Sequence, residues 1–169
     1  MSEAKPVKKV ILGIDPGLRI SGYAVIFEDY ARRIALIEAD YLALPPDETI
    51  AKRIALFHEF FTKKITEFHV TDIAIETPFL GKNAANFLKL GYLRGIVHLL
   101  VAHHTLHIHE FAPRSIKQSI TGFGGAEKEQ VSRVITKLFR TTAPTKKYDV
   151  TDAIAVALCA SWNQNNKMV

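Results

Sequence analysis

The order of its apolar segments restricts this chain to an α/β fold. Three segments of strand length come first, at Lys9–Asp15 and at residues 22–27 and 33–44. Apolar residues at helical spacing follow, with Asp47 as the expected N-cap. Strands at 71–76 and 106–111 then alternate with helices at 83–103, from 113, at 126–139 and from about 149 to 162. This order predicts a five-stranded mixed sheet flanked by helices on both faces, with an antiparallel meander of the first three strands.

Length and composition predict a single domain over residues 1–169, with a core at about 9–160 and a polar tail at 163–169. Hydrophobic residues make up 48% of the chain, which is enough for a core without covalent staples. The one cysteine, Cys159, excludes an internal disulfide framework and is expected to be buried in an apolar helix. It fits a reducing cytoplasm. The apolar run behind the basic N-terminus is too short to cross a membrane, so we expect a cytoplasmic protein with no membrane partner.

Basic residues are concentrated in one part of the sequence. Residues 82–147 hold eleven Lys and Arg against three acids, a balance of +8, whereas the rest of the chain has a balance of −3. Such asymmetry suits a surface that meets a nucleic-acid backbone. The alternative, that these residues only decorate exposed helix faces, stays open at this point.

Four carboxylates stand at the ends of apolar segments. Asp15 ends the first strand and Glu76 the fourth, so both project from one edge of the sheet if these strands are neighbours. Asp149 and Asp152 are three apart at a helix start and therefore share a face. Gathering such charges without a cation is costly. An all-oxygen ligand set favours Mg²⁺ or Mn²⁺, and two such ions can drive phosphodiester cleavage.

Simpler explanations exist for three of these acids. Asp15 can shape a Pro-Gly turn, Asp149 can serve only as an N-cap, and Asp152 can be a solvated residue of a first helical turn. Glu76 is harder to explain in this way, because it ends an apolar strand and precedes Thr-Pro.

Four blocks of sequence carry a resemblance to a known family. They are, in order, ILGIDPGLRISGYAVI, AIETPFLGKNAANFLKLGYLRG, EFAPRSIKQSITGFGGAEKEQV and DVTDAIAVAL. Together they resemble the RuvC family of Holliday junction resolvases, in the ribonuclease H-like superfamily, over about residues 9–160. One block alone is weak, since D-x-G also opens the phosphate loops of actin-like kinases. Four blocks in the right order are strong.

The resemblance implies a ribonuclease H-like fold and assigns roles to individual residues. It implies that the catalytic, metal-binding carboxylates are Asp15, Glu76, Asp149 and Asp152. It gives as further catalytic or DNA-contacting residues Lys117, Lys128, Arg114, Gln118, Phe79 and Lys82. Exposed lysines on helices are the simpler explanation for the first two. Thr77 and Pro78 depart from the family pattern, and a stiff proline there is expected to alter how Phe79 probes a junction.

The implied function is that of a crossover junction endodeoxyribonuclease. It would resolve four-way DNA junctions by symmetric, Mg²⁺-dependent hydrolysis in recombination and repair, with Mn²⁺ as a substitute and two ions in each site. Its products would carry 5′-phosphate ends. Symmetric cleavage implies a homodimer, and the second helix, near Gly91 and Gly95, is the candidate interface. The family also works beside a branch-migration motor.

Other functions compete with this one. An RNA-cleaving nuclease of the same fold would keep the carboxylates, and a junction-binding module would not need them. A nucleotide-binding ATPase or sugar-kinase-like lobe shares the GIDPG segment but needs a second lobe. Five histidines between His98 and His109 invite a zinc site, but they span a helix and a strand and should point apart.

Overall fold

The computed structural model describes residues 8–78, 84–139 and 148–162. The predicted Phe79 and Lys82 contacts and the polar tail lie outside these ranges. Five strands are present: β1 (Lys9–Asp15), β2 (Ile20–Glu28), β3 (Ile34–Ala43), β4 (Asp72–Glu76) and β5 (His107–Phe111). Five helices accompany them: α1 (Ile50–Phe68), α2 (Ala84–His104), α3 (Pro113–Thr121), α4 (Lys128–Phe139) and α5 (Tyr148–Trp162).

The strands form one mixed sheet in the order β3-β2-β1-β4-β5. The antiparallel meander predicted for the first three strands is confirmed, with Asp15 opposite Gly22 in the register of β1 and β2. The β4 strand lies parallel to β1, and β5 lies parallel to β4. Parallel neighbours require crossover connections, which α1 and α2 supply.

Helices cover both faces of the sheet, as the segment order predicted. Alternate residues of a strand point to opposite faces. On one face, Ile11, Ala24 and Ala74 pack against α3, α4 and α5. On the other face, Leu12, Ile14 and neighbouring apolar residues pack against α1 and α2. The sheet is therefore buried between two hydrophobic cores.

Some details differ from the prediction. The N-cap of α1 is Thr49, not Asp47, because the Thr49 hydroxyl accepts the Lys52 backbone N–H at 3.3 Å. Helix α4 begins at Lys128 rather than at residue 126. No described helix is long and apolar enough to span a membrane.

Gly91 and Gly95, the candidate interface, make no close contact within the described parts of this chain, so the interface stays a prediction. No heavy atom other than those of their own helix backbone and chain neighbours would lie within 4 Å of a Cβ placed at either glycine. Leu88, Tyr92 and Leu99 on the same helix are also exposed. The buried side of α2 is formed by other residues, such as Leu93.

Helix α5 approaches the sheet unusually closely. A Cβ on Gly13 would lie 2.2 Å from the carbonyl oxygen of Ala153, and a Cβ on Gly22 would lie 2.0 Å from that of Asp149. Both distances are too short for any side chain. The two glycines therefore set the height at which α5 lies above β1 and β2.

Candidate active site

Strand register directs Asp15 and Glu76 toward the same helix. Asp15 alternates with Ile14 and so shares the sheet face of Gly13, the face that α5 covers. Glu76 likewise shares the face of Ala74, which belongs to the core around α5. Since β1 and β4 are adjacent and parallel, both carboxylates leave the same edge of the sheet. The predicted proximity of the two strand ends is confirmed.

Helix α5 supplies the other two acids. Eleven residues between Val150 and Ser161 are buried, and Asp152 is the one position in that stretch that keeps some exposure. Asp149 lies one turn earlier, where its backbone carbonyl contacts the Gly22 position opposite Asp15. The apolar packing of α5 thus fixes both acids beside the strand ends.

The four carboxylates interact electrostatically. Burial, followed by the negative charges of Asp152, Asp149 and Glu76, raises the pKa of Asp15 from 3.8 to about 7. Burial and the charge of Asp152 also raise the pKa of Glu76 above its ordinary value, against the opposing effect of nearby basic groups. Raised carboxyl pKa values of this kind mark an excess of buried negative charge.

Lys128 partly compensates this charge. Its ammonium nitrogen Nζ donates to Oδ2 of Asp152 at 2.7 Å, from the first turn of α4. Burial alone would lower the pKa of Lys128, but this hydrogen bond and the charges of Asp152, Asp15 and Asp149 raise it. The sequence left open whether this lysine was simply an exposed helix residue. The structure instead joins it to the acidic cluster.

A cavity of about 430 Å³ brings the predicted residues together. Lys117 of α3 and Lys128 of α4 line it together with Asp15, Glu76 and Asp152. Acidic and basic groups in one cleft are the combination expected around a reacting phosphate, because cations stabilise charge that develops on its oxygens. Asp149 lies beside this cavity and does not line it.

The donor set suits a divalent cation but is not a preformed cage. No group of three or more Asp, Glu, His or Cys side chains within residues 8–78, 84–139 and 148–162 stands in metal-ligand geometry. The four carboxylates nevertheless offer the oxygen ligands that Mg²⁺ and Mn²⁺ prefer, and burial together with the charges of the other three acids raises the pKa of Asp15. A metal-binding role of these residues is thus chemically reasonable and stays a prediction.

Arg94 was missed by the sequence reasoning. Its guanidinium donates to the backbone carbonyl of Glu76 and, through Nη2, to Oε1 of Glu110 at 2.5 Å. Burial lowers the pKa of Arg94, although Glu110 and Glu76 oppose this. A second cavity, of about 550 Å³, lies on this side and is also lined by Asp15 and Glu76. Asp15 and Glu76 therefore stand between two clefts.

Arg114 and Gln118, the remaining predicted DNA contacts, lie on α3 and contact the turn that joins it to α4. The side-chain amide of Gln118 forms two hydrogen bonds with the loop backbone. Its Nε2 donates to the carbonyl of Gly122, and its Oε1 accepts the N–H of Gly124. Arg114 is exposed, and its stem crosses Gly124 so closely that a Cβ there would meet Cγ at 2.7 Å. Gln118 therefore shapes the loop, and contacts of either residue with phosphate stay predictions.

The histidine-rich segment does not form a metal site among the described residues. His109 instead pairs with the buried Asp72 at 2.7 Å, and His98 approaches Glu110 at 4.0 Å. The two imidazoles have different acidic partners. The reading of this segment as dispersed side chains agrees with these contacts, and Cys159 is buried as expected.

Comparison with known proteins gives a consistent family. The family described as crossover junction endodeoxyribonuclease RuvC matches residues 11–160. Proteins of that description from Pelodictyon phaeoclathratiforme and Legionella pneumophila are 37% and 36% identical, over 89% and 92% of this chain and 78% and 88% of theirs. The structure of Thermus thermophilus RuvC in complex with Holliday junction substrate is 21% identical and shares the fold, with a TM-score of 0.79 over 90% of this chain and 94% of the other. This chain therefore belongs to the RuvC family of crossover junction endodeoxyribonucleases, with its ribonuclease H-like fold.

Proposed function

We propose that this chain cleaves four-way DNA junctions at the cavity between β1, β4 and α5, by metal-dependent hydrolysis of one phosphodiester bond in each of two strands. One observation carries the proposal: two acidic strand ends, an acidic helix face and two lysines surround a single cleft. The Thermus thermophilus relative, whose structure holds a Holliday junction, supports the choice of substrate.

The carboxylates divide their work with the lysines. Asp15, Glu76, Asp149 and Asp152 would hold one or two divalent ions, with Mg²⁺ the preferred ion and Mn²⁺ a substitute. Bound there, such ions supply Lewis acidity and lower the pKa of a water molecule. Lys128 and Lys117 would face the phosphate and stabilise the negative charge that develops on its oxygens. The expected product ends are 5′-phosphate and 3′-hydroxyl.

Two copies of the chain are needed for symmetric cleavage. A four-way junction has two equivalent strands to cut, so a C₂ homodimer matches its symmetry. The exposed Leu88, Tyr92 and Leu99, beside the open Gly91 and Gly95, support α2 as the contact surface. A branch-migration motor remains a proposed partner that rests on the family alone. The single nuclease domain and its cytoplasmic location likewise stay predictions.

The test compares three end-labelled substrates under Mg²⁺ and Mn²⁺: a fixed four-way junction, a linear duplex of the same sequence and an RNA–DNA hybrid. Asp15→Asn and Glu76→Gln are measured beside Glu59→Gln. Glu59 is an exposed acid on α1, on the opposite face of the sheet, so it controls for loss of a carboxylate as such. Junction binding is recorded for every variant by gel shift.

Paired nicks at symmetric positions of the junction are expected. The two active-site variants should lose cleavage but keep binding, and Glu59→Gln should cut like the unmodified chain. If only the RNA–DNA hybrid is cut, the chain is an RNA-cleaving nuclease of the same fold. Junction binding without cleavage under either ion would leave a recognition module and remove the catalytic proposal.

A further inference from the structure

The loop between the two active-site lysines presents an exposed aromatic ring. Phe123 lies between α3, which carries Lys117, and α4, which begins at Lys128, and it is 64% exposed. Most of the surface of this ring is therefore accessible to a ligand. The catalytic scheme above gives this ring no role.

The ring is held in place by a tightly bonded loop. The Thr121 hydroxyl accepts the backbone N–H of Phe123 at 3.1 Å, and its one proton is shared between the carbonyls of Lys117 at 2.8 Å and Phe123 at 3.0 Å. The Phe123 carbonyl also accepts the N–H of Ala126 at 3.1 Å. The side-chain amide of Gln118 forms hydrogen bonds with the backbone of Gly122 and Gly124, on either side of the aromatic residue. These bonds fix the backbone before any ligand arrives.

Gly125 leaves room for the orientation of the Phe123 ring. A Cβ on Gly125 would stand 2.7 Å from Cζ and 2.9 Å from Cε1 of Phe123, so the ring folds back over bare backbone. No described residue appears in a ring-to-ring contact with it. One side of the ring is thus supported, while most of its surface stays open.

The charge around the loop indicates what the ring meets. Arg114 lies over Gly124, the residue next to Phe123; Lys117 lies one turn before the end of α3, and Lys128 is the first residue of α4. These three basic residues form a positive rim along the segment that carries the ring, which suits a polyanion that carries flat rings. Nucleic-acid bases next to a phosphate have this chemistry, and their stacking on aromatic side chains tolerates any sequence.

We propose that Phe123 stacks on a base that is displaced at the branch point of the DNA, next to the phosphate that Lys117 and Lys128 face. The inference rests on the proposed function, because it takes the junction as the ligand. It adds an aromatic contact on the α3–α4 side of the cleft. The positive rim holds the backbone of the strand, and the ring holds one of its bases.

The test measures binding without cleavage, in an Asp15→Asn background, to a four-way junction that carries 2-aminopurine beside its branch point. Phe123→Ala and Phe123→Leu remove the aromatic ring, and Phe123→Trp keeps one. Tyr30→Ala is the matched control, since Tyr30 is an equally exposed aromatic in the β2–β3 turn, at the far end of β2 from the position opposite Asp15. Melting temperatures verify that each variant is folded.

Loss of the ring should weaken junction binding roughly 5-fold to 150-fold, the range that base stacking spans on alanine substitution. The Trp variant should bind like the parent and keep the change in 2-aminopurine fluorescence, which the Ala and Leu variants should lose. The slope of log Kd against log salt should not change, because no phosphate contact is removed. Tyr30→Ala should leave all three quantities unaltered.

Three results would overturn the stacking contact. The first is a Phe123→Ala variant that binds like the parent. The second is weaker binding with a flatter salt slope, which would mean that the loop's cations were displaced. The third is an altered sedimentation velocity at unchanged DNA affinity, which would assign the ring to a second copy of the chain. A parent that binds no junction removes the proposed substrate as well, whereas a parent that binds but does not cut removes only the catalytic proposal.

Discussion

The raised pKa of Asp15 predicts that ionisation of this carboxyl lowers the free energy of unfolding of the protein. Its pKa rises from 3.8 to about 7 because of burial and the charges of three neighbouring acids. Between these pH values, the unfolded chain ionises this group while the folded chain keeps it protonated. The folded state then binds more protons than the unfolded state, so the free energy of unfolding falls as pH rises. The contribution of Asp15 to the free energy of unfolding is fully present below pH 3.8 and is lost as the pH rises through about 7.

The magnitude follows from the size of the pKa change. A rise from 3.8 to about 7 corresponds to about 4 kcal/mol at 1.36 kcal/mol per pKa unit. The change Asp15→Asn removes the charge and keeps the shape. We therefore expect the variant and the unmodified chain to be equally stable near pH 4, and the variant to gain up to about 4 kcal/mol by pH 8. The variant that we expect to lose cleavage should thus be the more stable protein.

The assay is urea unfolding in a chelating buffer, repeated across this pH range. Asp29→Asn provides a control of opposite sign. Hydrogen bonds from the Arg33 backbone and side chain lower the pKa of Asp29, so its stabilising effect is present at neutral pH and lost on acidification. If Asp15→Asn is no more stable than the unmodified chain at pH 8, or if its advantage does not depend on pH, the assumed burial and repulsion of this carboxylate are wrong.

Three further substitutions test other parts of the structure. Lys128→Met should lower the single-turnover rate of junction cleavage roughly 100-fold to 1000-fold, with a smaller loss of binding, because it removes a cation near the reacting phosphate. Gly22→Ala should lower the free energy of unfolding in urea by about 1–3 kcal/mol and also slow cleavage, since the new methyl group collides with the carbonyl of Asp149. Arg32→Met should cost about 1.5–3 kcal/mol in the same unfolding assay, because the buried Glu28 loses its cation and keeps the hydrogen bond from the Ser161 hydroxyl, yet it should cut at the normal rate below its melting temperature. An equal loss of activity in the Arg32 and Gly22 variants would mean that activity reports only stability.

Local sequence patterns predicted the strands that end in Asp15 and Glu76. Strand alternation and the segment order were enough to predict that β1 and β4 lie in one mixed sheet, and the structure adds that the two strands are neighbours, which brings their ends to one edge. The face on which Asp15 lies then follows from its parity with Ile11 and Gly13. Such features depend on period and chain order, both of which can be read from one sequence.

Contacts between distant elements could not be read in this way. Arg94 reaches Glu76 and Glu110 from a helix whose remaining residues are mostly apolar, and only the packing of α2 beside β4 and β5 brings these groups together. The N-cap of α1 shows a local limit of the same kind. Asp47 and Thr49 are both good capping residues, and the path of the chain after its two prolines selects Thr49.

The packing of α5 explains why repulsion within the site cannot relax. Asp149 and Asp152 are carried by a helix with eleven buried residues, whose distance from the sheet is set by contacts with Gly13 and Gly22. Moving this helix outward to separate the acids would expose that apolar surface, at about 25 cal/mol per Å². Relief must therefore come from a proton or from positive charge. Lys128 supplies one positive charge, and the pKa of Asp15 near 7 means that Asp15 takes up a proton at lower pH. Above that pH the rigid core leaves a bound cation as the remaining way to balance the ionised carboxylates.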